Sequence, residues 1–360
     1  MGSMETTDWS KNKDFLSIVT AGSPAELRRS RIACQSALLE QLNHITIEEW
    51  MYRVNVMHDR VAQTAVQICE AQMKEAGYGS PPCAYSFIVF GSAGRHEATL
   101  WSDQDNGLII DGEPDDSKND YFEPFGDMLS DLLAEVGYEK CEGRVMCSEP
   151  LWRKTLHEWE LQLETWRTQL EWEPIRYLLI SSDMRHISGN EGLSTSWKNF
   201  FHNGVTSNER LSTAILRNTV RHKATLNLLG QVLTERFGDH AGGFDIKYGV
   251  YIPLVNYVRH LSLQYGIRET STLKRLEALQ SLSVNKQMEG VREAFLIGLR
   301  MRVNTPFTNN DGLLSSSDYI AEADLKNKLL MSELRESLLL VRRMHRTLQR
   351  QLRSAERRQS

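Results

Sequence analysis

Residues 87–112 read FIVFGSAGRHEATLWSDQDNGLIIDG: two apolar runs bracket a glycine-serine turn and, after a polar gap, two aspartates one residue apart. This stretch restricts the fold more than any other. The segments AYSFIVFGS and NGLIIDG are short, apolar and ended by glycine, the pattern of buried strands with turns at their ends. Residues i and i+2 of a strand project to one side, so Asp103 and Asp105 point the same way if they lead into the second run. Two carboxylates held together repel each other, and a divalent cation between them removes the repulsion. Hard oxygen ligands favour magnesium, which fills its remaining positions with water and substrate phosphates.

Gly91 and Ser92 complement that pair. A glycine turn at a strand end lets backbone N–H groups approach phosphate oxygens, and the serine adds a hydroxyl donor. Arg95 lies close enough in sequence to carry phosphate charge. GSAGRHEA has no Gly-Lys-Ser/Thr ending, which excludes a Walker-type loop, and it lacks the third glycine and helix pattern of the dinucleotide fingerprint. Taken separately, SDQDN reads as a polar turn and GSAG as a plain loop. Together, with strand patterns on both sides, they point to a metal-phosphate site.

Around this centre the chain divides by pattern. Residues 1–80 form a helical region, with Ser23 and Pro24 placed as cap and first turn, and GYGSPP ends it. A helix over DYFEPFGDMLSDLLAEVGY stops at Gly137. Trp152, Leu156, Trp159, Leu163, Trp166 and Leu170 alternate in steps of four and three, so they share one helical face and read as core. IRYLLISSDMRHISGN is expected to hold a third strand ending near Asp183. From about residue 194 the pattern is helical. The expected class is therefore α+β: a small mixed sheet with helices over residues 81–192, flanked by the N-terminal helical region and an all-helical C-terminal domain over 193–360. The basic end of LLLVRRMHRTLQRQLRSAERRQS reads as a solvated helix face.

Composition narrows the function. The 360 residues carry a net charge of −5, so the chain offers no basic field that would gather nucleic acid. The five cysteines are scattered without zinc or disulfide spacing, which suits thiols in a reducing cytosol. No cleavable leader pattern and no bilayer-length apolar stretch stands out, and a cytoplasmic protein away from membranes is expected. His157, His186 and His222 fall in no metal-ligand spacing.

The order glycine-serine, Asp-x-Asp, strand resembles the core motif of the DNA polymerase beta type nucleotidyltransferase superfamily. More narrowly, GSAGRHEATLWSDQDNGLII, VMCSEPLWRKTLHEW, SSDMRHISGN and FDIKYGVYIPLVNYVRHLSLQYGI resemble the nucleotidyltransferase family related to the PII protein uridylyltransferase, in a form without CBS, cyclic-nucleotide-binding or HD domains. The resemblance implies transfer of a nucleoside monophosphate from an NTP to an acceptor hydroxyl on a protein, with loss of pyrophosphate, on two Mg2+ ions or Mn2+. It places Asp103, Asp105 and Asp183 on the metals, and Gly91, Ser92 and Arg95 on the triphosphate. Glu97 would orient Arg95, and Lys247 would add a triphosphate contact from the helical domain. His96 departs from the glycine expected there. His58-Asp59 lacks the partners of a phosphohydrolase site and reads as a chance pair. A homo-oligomer through the helical domains is compatible with this pattern. The alternative function is a non-catalytic nucleotide-binding regulatory module that signals through its helices.

Overall fold

Hydroxyl caps set the helix starts of the N-terminal region. After α1 (Lys13–Val19), Ser23 accepts the Glu26 amide to open α2 (Pro24–Gln41), and Thr46 accepts the Glu49 amide to open α3 (Ile47–Glu75). Such caps are worth about 1 kcal/mol each. Along α3, Trp50, Val54, Met57, Val61, Ala65 and Cys69 are buried at helical spacing, which fixes the face it turns inward. The computed structural model describes residues 13–205, 208–220, 231–282 and 288–359. These described residues fall into two compact units, one within the bounds Met1–Gln162, Asp183–Asn199 and Asp311–Leu313, the other within Leu163–Ser182, Phe200–Asn310 and Leu314–Ser360.

The first unit holds the sheet. β1 (Tyr85–Val89), α4 (Gly91–Gly94), β2 (Asn106–Ile110) and α5 (Asp116–Val136) follow one another as the apolar runs predict, and α5 ends at Gly137 in the left-handed conformation with φ +106°. Along the chain then come β3 (Arg153–Thr155), α6 (Leu156–Thr168), of which only the part up to Gln162 belongs to this unit, α7 (Trp172–Ser181), which belongs to the second, β4 (Arg185–Gly189) and α8 (Glu191–Val205), which belongs to this unit up to Asn199. The strand order is β3-β2-β1-β4, with β1 antiparallel to β2 and β4, and β2 parallel to β3. Every residue of β1 and β2 is buried, as expected for central strands covered on both faces.

Two readings of local structure are corrected. IRYLLIS is the body of helix α7, and the strand begins after Asp183, at Arg185. Ile175, Leu178 and Leu179 are buried at i, i+3 and i+4, so the apolar run has the helical period that its shortness concealed. Trp152 precedes β3 and Leu170 follows the end of α6, so both lie outside the helix expected to carry them. The Trp152 side chain still joins the core, with its ring 4.9 Å from Phe90 and 6.0 Å from Trp159. Trp159 in turn donates its indole N–H to Leu108 O at 2.9 Å, which ties α6 to β2.

The second unit is helical in the main. Besides α7, its elements are α9 (Glu209–Thr219), β5 (Phe244–Asp245), a π-helical turn at Lys247–Tyr251, α10 (Ile252–Gln264), α11 (Thr272–Ser281) and α12 (Met288–Val303). β6 (Phe307–Asn310), β7 (Leu313–Ser316), β8 (Tyr319–Ile320) and α13 (Lys328–Gln359) complete the chain. The α+β class stands, but the C-terminal part is not purely helical, because β5 pairs with β8 and β6 with β7. These strands have at most four residues and β6 is exposed throughout, so they carry no apolar alternation to reveal them. No helix among the described residues is long and apolar enough to cross a membrane.

Candidate active site

The site grows out of the β1–β2 ladder. Val89 pairs with Asn106, and the ladder continues one step further, with the Phe90 N–H donating to Asp105 O at 2.9 Å. That register places the Asp105 side chain against Gly91. A Cβ on Gly91 would meet Asp105 Oδ2 at 2.1 Å, and the backbone there has φ +53°, so only glycine fits. Gly94, at the other end of the turn, lies against Asp183: a Cβ would meet Asp183 O at 2.0 Å. The GSAG turn thus rests one glycine against each of two acidic residues that the sequence reading assigned to the site.

The alternation expected before β2 is present. Asp103 is exposed and Asp105 half-buried, while Gln104 between them is buried and donates its amide to Ser130 O and Tyr138 O at 2.9 and 3.0 Å. Burial and then the charge of Asp103 push the Asp105 carboxyl up to about 7; a hydrogen bond from Cys141 and the charge of Arg95 oppose this rise. The Cys141 thiol is pushed up to about 12 by burial and by both aspartates, so it stays a neutral donor. A carboxyl raised by burial and then by a neighbouring like charge is one that a bound divalent cation would return to its ionised form, and the donors are hard oxygens. The pair therefore fits magnesium. Among the described residues no group of three or more His, Cys, Asp or Glu side chains could hold a metal ion. A cation on Asp103 and Asp105 would complete its shell from phosphate and water.

Asp183 is occupied otherwise. Its Oδ2 accepts from Arg95 Nη1 at 2.7 Å, and Arg95 Nε donates to Glu97 Oε2 at 2.7 Å, with all three side chains buried. Glu97 does orient Arg95, and it orients it toward Asp183. His96 has φ +57°, the left-handed region where glycine is at ease, so the backbone follows the glycine path although the side chain differs. Lys247 belongs to the second unit, at the start of the π-helical turn, with Nζ 3.4 Å from Asp318 Oδ2. Arg302 Nε also donates to Asp318, at 2.8 Å. His157 is exposed, His186 lies 2.9 Å from Ser86 Oγ, and His222 is outside the described residues.

Helix α3 braces these parts through polar side chains that carry no recognisable site motif in the sequence. From α3, Asn55 accepts the Ala98 N–H at 3.0 Å, and His58 sits 2.9 Å from Thr99 O and 2.7 Å from Tyr138 OH. Asp59 holds Arg185 at 2.6 and 2.8 Å, and Gln63 donates to Ile187 O at 3.0 Å. Asn55, His58, Asp59 and Gln63 are polar residues three and four apart on a helix with a long buried face, and that spacing is the signal the sequence offers. His58 and Asp59 also line a cavity of about 50 Å³ with Ala93, Asp103 and Asp105.

Residues 33–173 match the family model described as Putative nucleotidyltransferase DUF294, and residues 209–352 match the one described as Putative nucleotidyltransferase substrate binding domain. No curated protein matches the chain.

Proposed function

The chain belongs to the DUF294 nucleotidyltransferase family, and on that premise we propose that it moves a nucleoside monophosphate from an NTP to an acceptor hydroxyl on a protein, dependent on magnesium and with release of pyrophosphate. The observation that carries this reading is the contact of Gly91 with Asp105, which brings a backbone suited to phosphate against a carboxylate suited to a cation. Asp103 and Asp105 would hold Mg2+, with Mn2+ as the alternative ion. When bound, the metal would neutralise charge on the triphosphate and on the attacking and leaving oxygens.

The residues of the chain do the rest. Gly91 and Ser92 receive the triphosphate through backbone N–H groups and the Ser92 hydroxyl. Asp105 must be ionised to bind a cation, so its raised proton affinity sets protons against metal. Asp183 would join the second metal and draw the proton from the acceptor hydroxyl. For that, Arg95 must give up its ion pair, and the triphosphate is the anion that would take the guanidinium. That same ion pair favours a second reading, a regulatory module that binds nucleotide without transfer, because it keeps the third carboxylate engaged.

Pyrophosphate release and calorimetry with ATP, GTP, CTP and UTP test the proposal, each with magnesium and with chelator. Magnesium should tighten binding, and its affinity should fall about tenfold per pH unit below pH ~7 and level off above it, as protons compete at Asp105. Asp105→Asn should abolish both the tightening and the release. Equal NTP affinity with and without metal would remove the carboxylate assignment, and metal-dependent binding without release on any protein acceptor would leave the regulatory reading.

A further inference from the structure

Arg185, the first residue of β4, reaches two places at once. Its Nη1 and Nη2 donate to Asp59 Oδ2 and Oδ1 at 2.8 and 2.6 Å, a bidentate pair with α3. Its Nη2 and Nε also donate to the Ala93 carbonyl at 2.8 and 3.3 Å. Ala93 is the third residue of the GSAG turn. The guanidinium therefore links a long helix to the loop assigned to the triphosphate.

That link has a counterpart running the other way. Arg95, just past the turn, donates to Asp183, two residues before Arg185. The turn and the segment before β4 thus exchange arginines, and Gly94 allows the close approach, since its missing side chain would otherwise overlap the Asp183 carbonyl. The peptide plane between Ala93 and Gly94 is held at both ends: Arg185 takes its carbonyl, and its N–H donates to Phe90 O at 2.7 Å. A peptide plane is rigid, so fixing both groups fixes its orientation and limits the N–H groups of Ser92 and Ala93 that precede it.

Asp59 gives the clasp its reference point. It sits on the same face of α3 as Asn55 and Gln63, which bond the Ala98 backbone and Ile187 O. The side chains of Asp59 and Arg185 are largely buried, 23% and 14% exposed. In that setting a bidentate carboxylate-guanidinium pair keeps its geometry, whereas the contacts to the one Ala93 carbonyl oxygen fix the guanidinium at a single point.

We propose that Asp59 and Arg185 are positioning residues that hold the phosphate-binding turn in its ligand-ready conformation. The role rests on the nucleotidyl-transfer reading only for the identity of the ligand. Removing the Asp59 charge unfixes the guanidinium, and the turn then samples conformations in which its N–H groups do not converge. Ground-state capture of the nucleotide suffers, while Asp103 and Asp105 keep their places in the segment that leads into β2.

The test uses full-length Asp59→Asn, with Asp59→Glu as the conservative variant. KM and kcat for magnesium-NTP are measured alongside amide exchange in the nucleotide-free protein. Asp59→Asn should raise KM about tenfold with kcat changed by no more than about twofold. Exchange at the amides of residues 92–97 should quicken while β1 and β2 keep their protection, and Asp59→Glu should recover part of both effects. Unchanged exchange in the turn overturns the proposal, as does a uniform rise across the whole unit or a fall in kcat at constant KM. If the wild type binds no magnesium-NTP, the nucleotide reading fails on that arm, and turn exchange alone decides the clasp.

Discussion

Gly91 and Asp105 are legible as a pair only once the ladder is extended to Phe90. Alternation along SDQDN is enough to put Asp103 and Asp105 on one side and Gln104 on the other, because the period of a strand is local. The orientation of Arg95 is not local: its partner Asp183 lies 88 positions away, and nothing near GSAGRHEA distinguishes a guanidinium aimed at phosphate from one aimed at a buried carboxylate. The close contact at Gly91 yields a prediction at this scale. Gly91→Ala adds a methyl 2.1 Å from Asp105 Oδ2 at φ +53°. The left-handed backbone alone costs about 1–2 kcal/mol, and the carboxylate must move as well. Magnesium-NTP binding should be lost and the unfolding midpoint lowered, measured by calorimetry and by urea titration. A variant that keeps wild-type nucleotide affinity would show that the turn does not need to touch Asp105.

Among the elements, long periodic helices and doubly buried strands could be read, and short ones could not. β1, β2 and α5 announce themselves through apolar runs, caps and Gly137. β3 has only three residues, and α7 hides a helical period inside a run of Ile, Leu and Ile. α3 was legible as a helix but not as a brace, because its polar face is recognised only from what it meets. His58 gives that brace a measurable signature. Burial, with the charge of Arg31 adding, lowers its pKa to about 3 from the ordinary value near 6.5. The unfolded chain therefore takes up a proton that the folded state refuses, so the stability contributed by neutral His58 is present above pH ~6.5 and lost as pH falls toward ~3. The loss should approach 1.4 kcal/mol per pH unit within that window. Urea titrations at pH 7, 6 and 5 should show it, and His58→Gln, which cannot titrate, should flatten that part of the profile. An unchanged slope in His58→Gln would place the acid sensitivity elsewhere.

For the molecule as a whole, composition and patterning identify a helical second half but do not show how the chain is shared between units. The first unit regains the chain at Asp183 after losing it at Gln162, so the segment carrying α7 packs with residues far along the sequence, a relation no linear boundary expresses. Two units also give a way to test Lys247, whose proposed triphosphate contact competes with Asp318. Two compact bodies need not unfold together, and calorimetry can resolve their transitions. Saturating magnesium-NTP at a hundred times its Kd adds about 2.7 kcal/mol to whatever unfolds with the site. If Lys247 binds the triphosphate, nucleotide should raise the transitions of both units, and Lys247→Ala should cancel the rise in the second while sparing that of the first. Asp318 keeps Arg302 as its partner in that variant, so the second unit should melt near its wild-type temperature without ligand. A second transition that ignores nucleotide in the wild type would confine the triphosphate to residues of the first unit and leave Lys247 as the partner of Asp318.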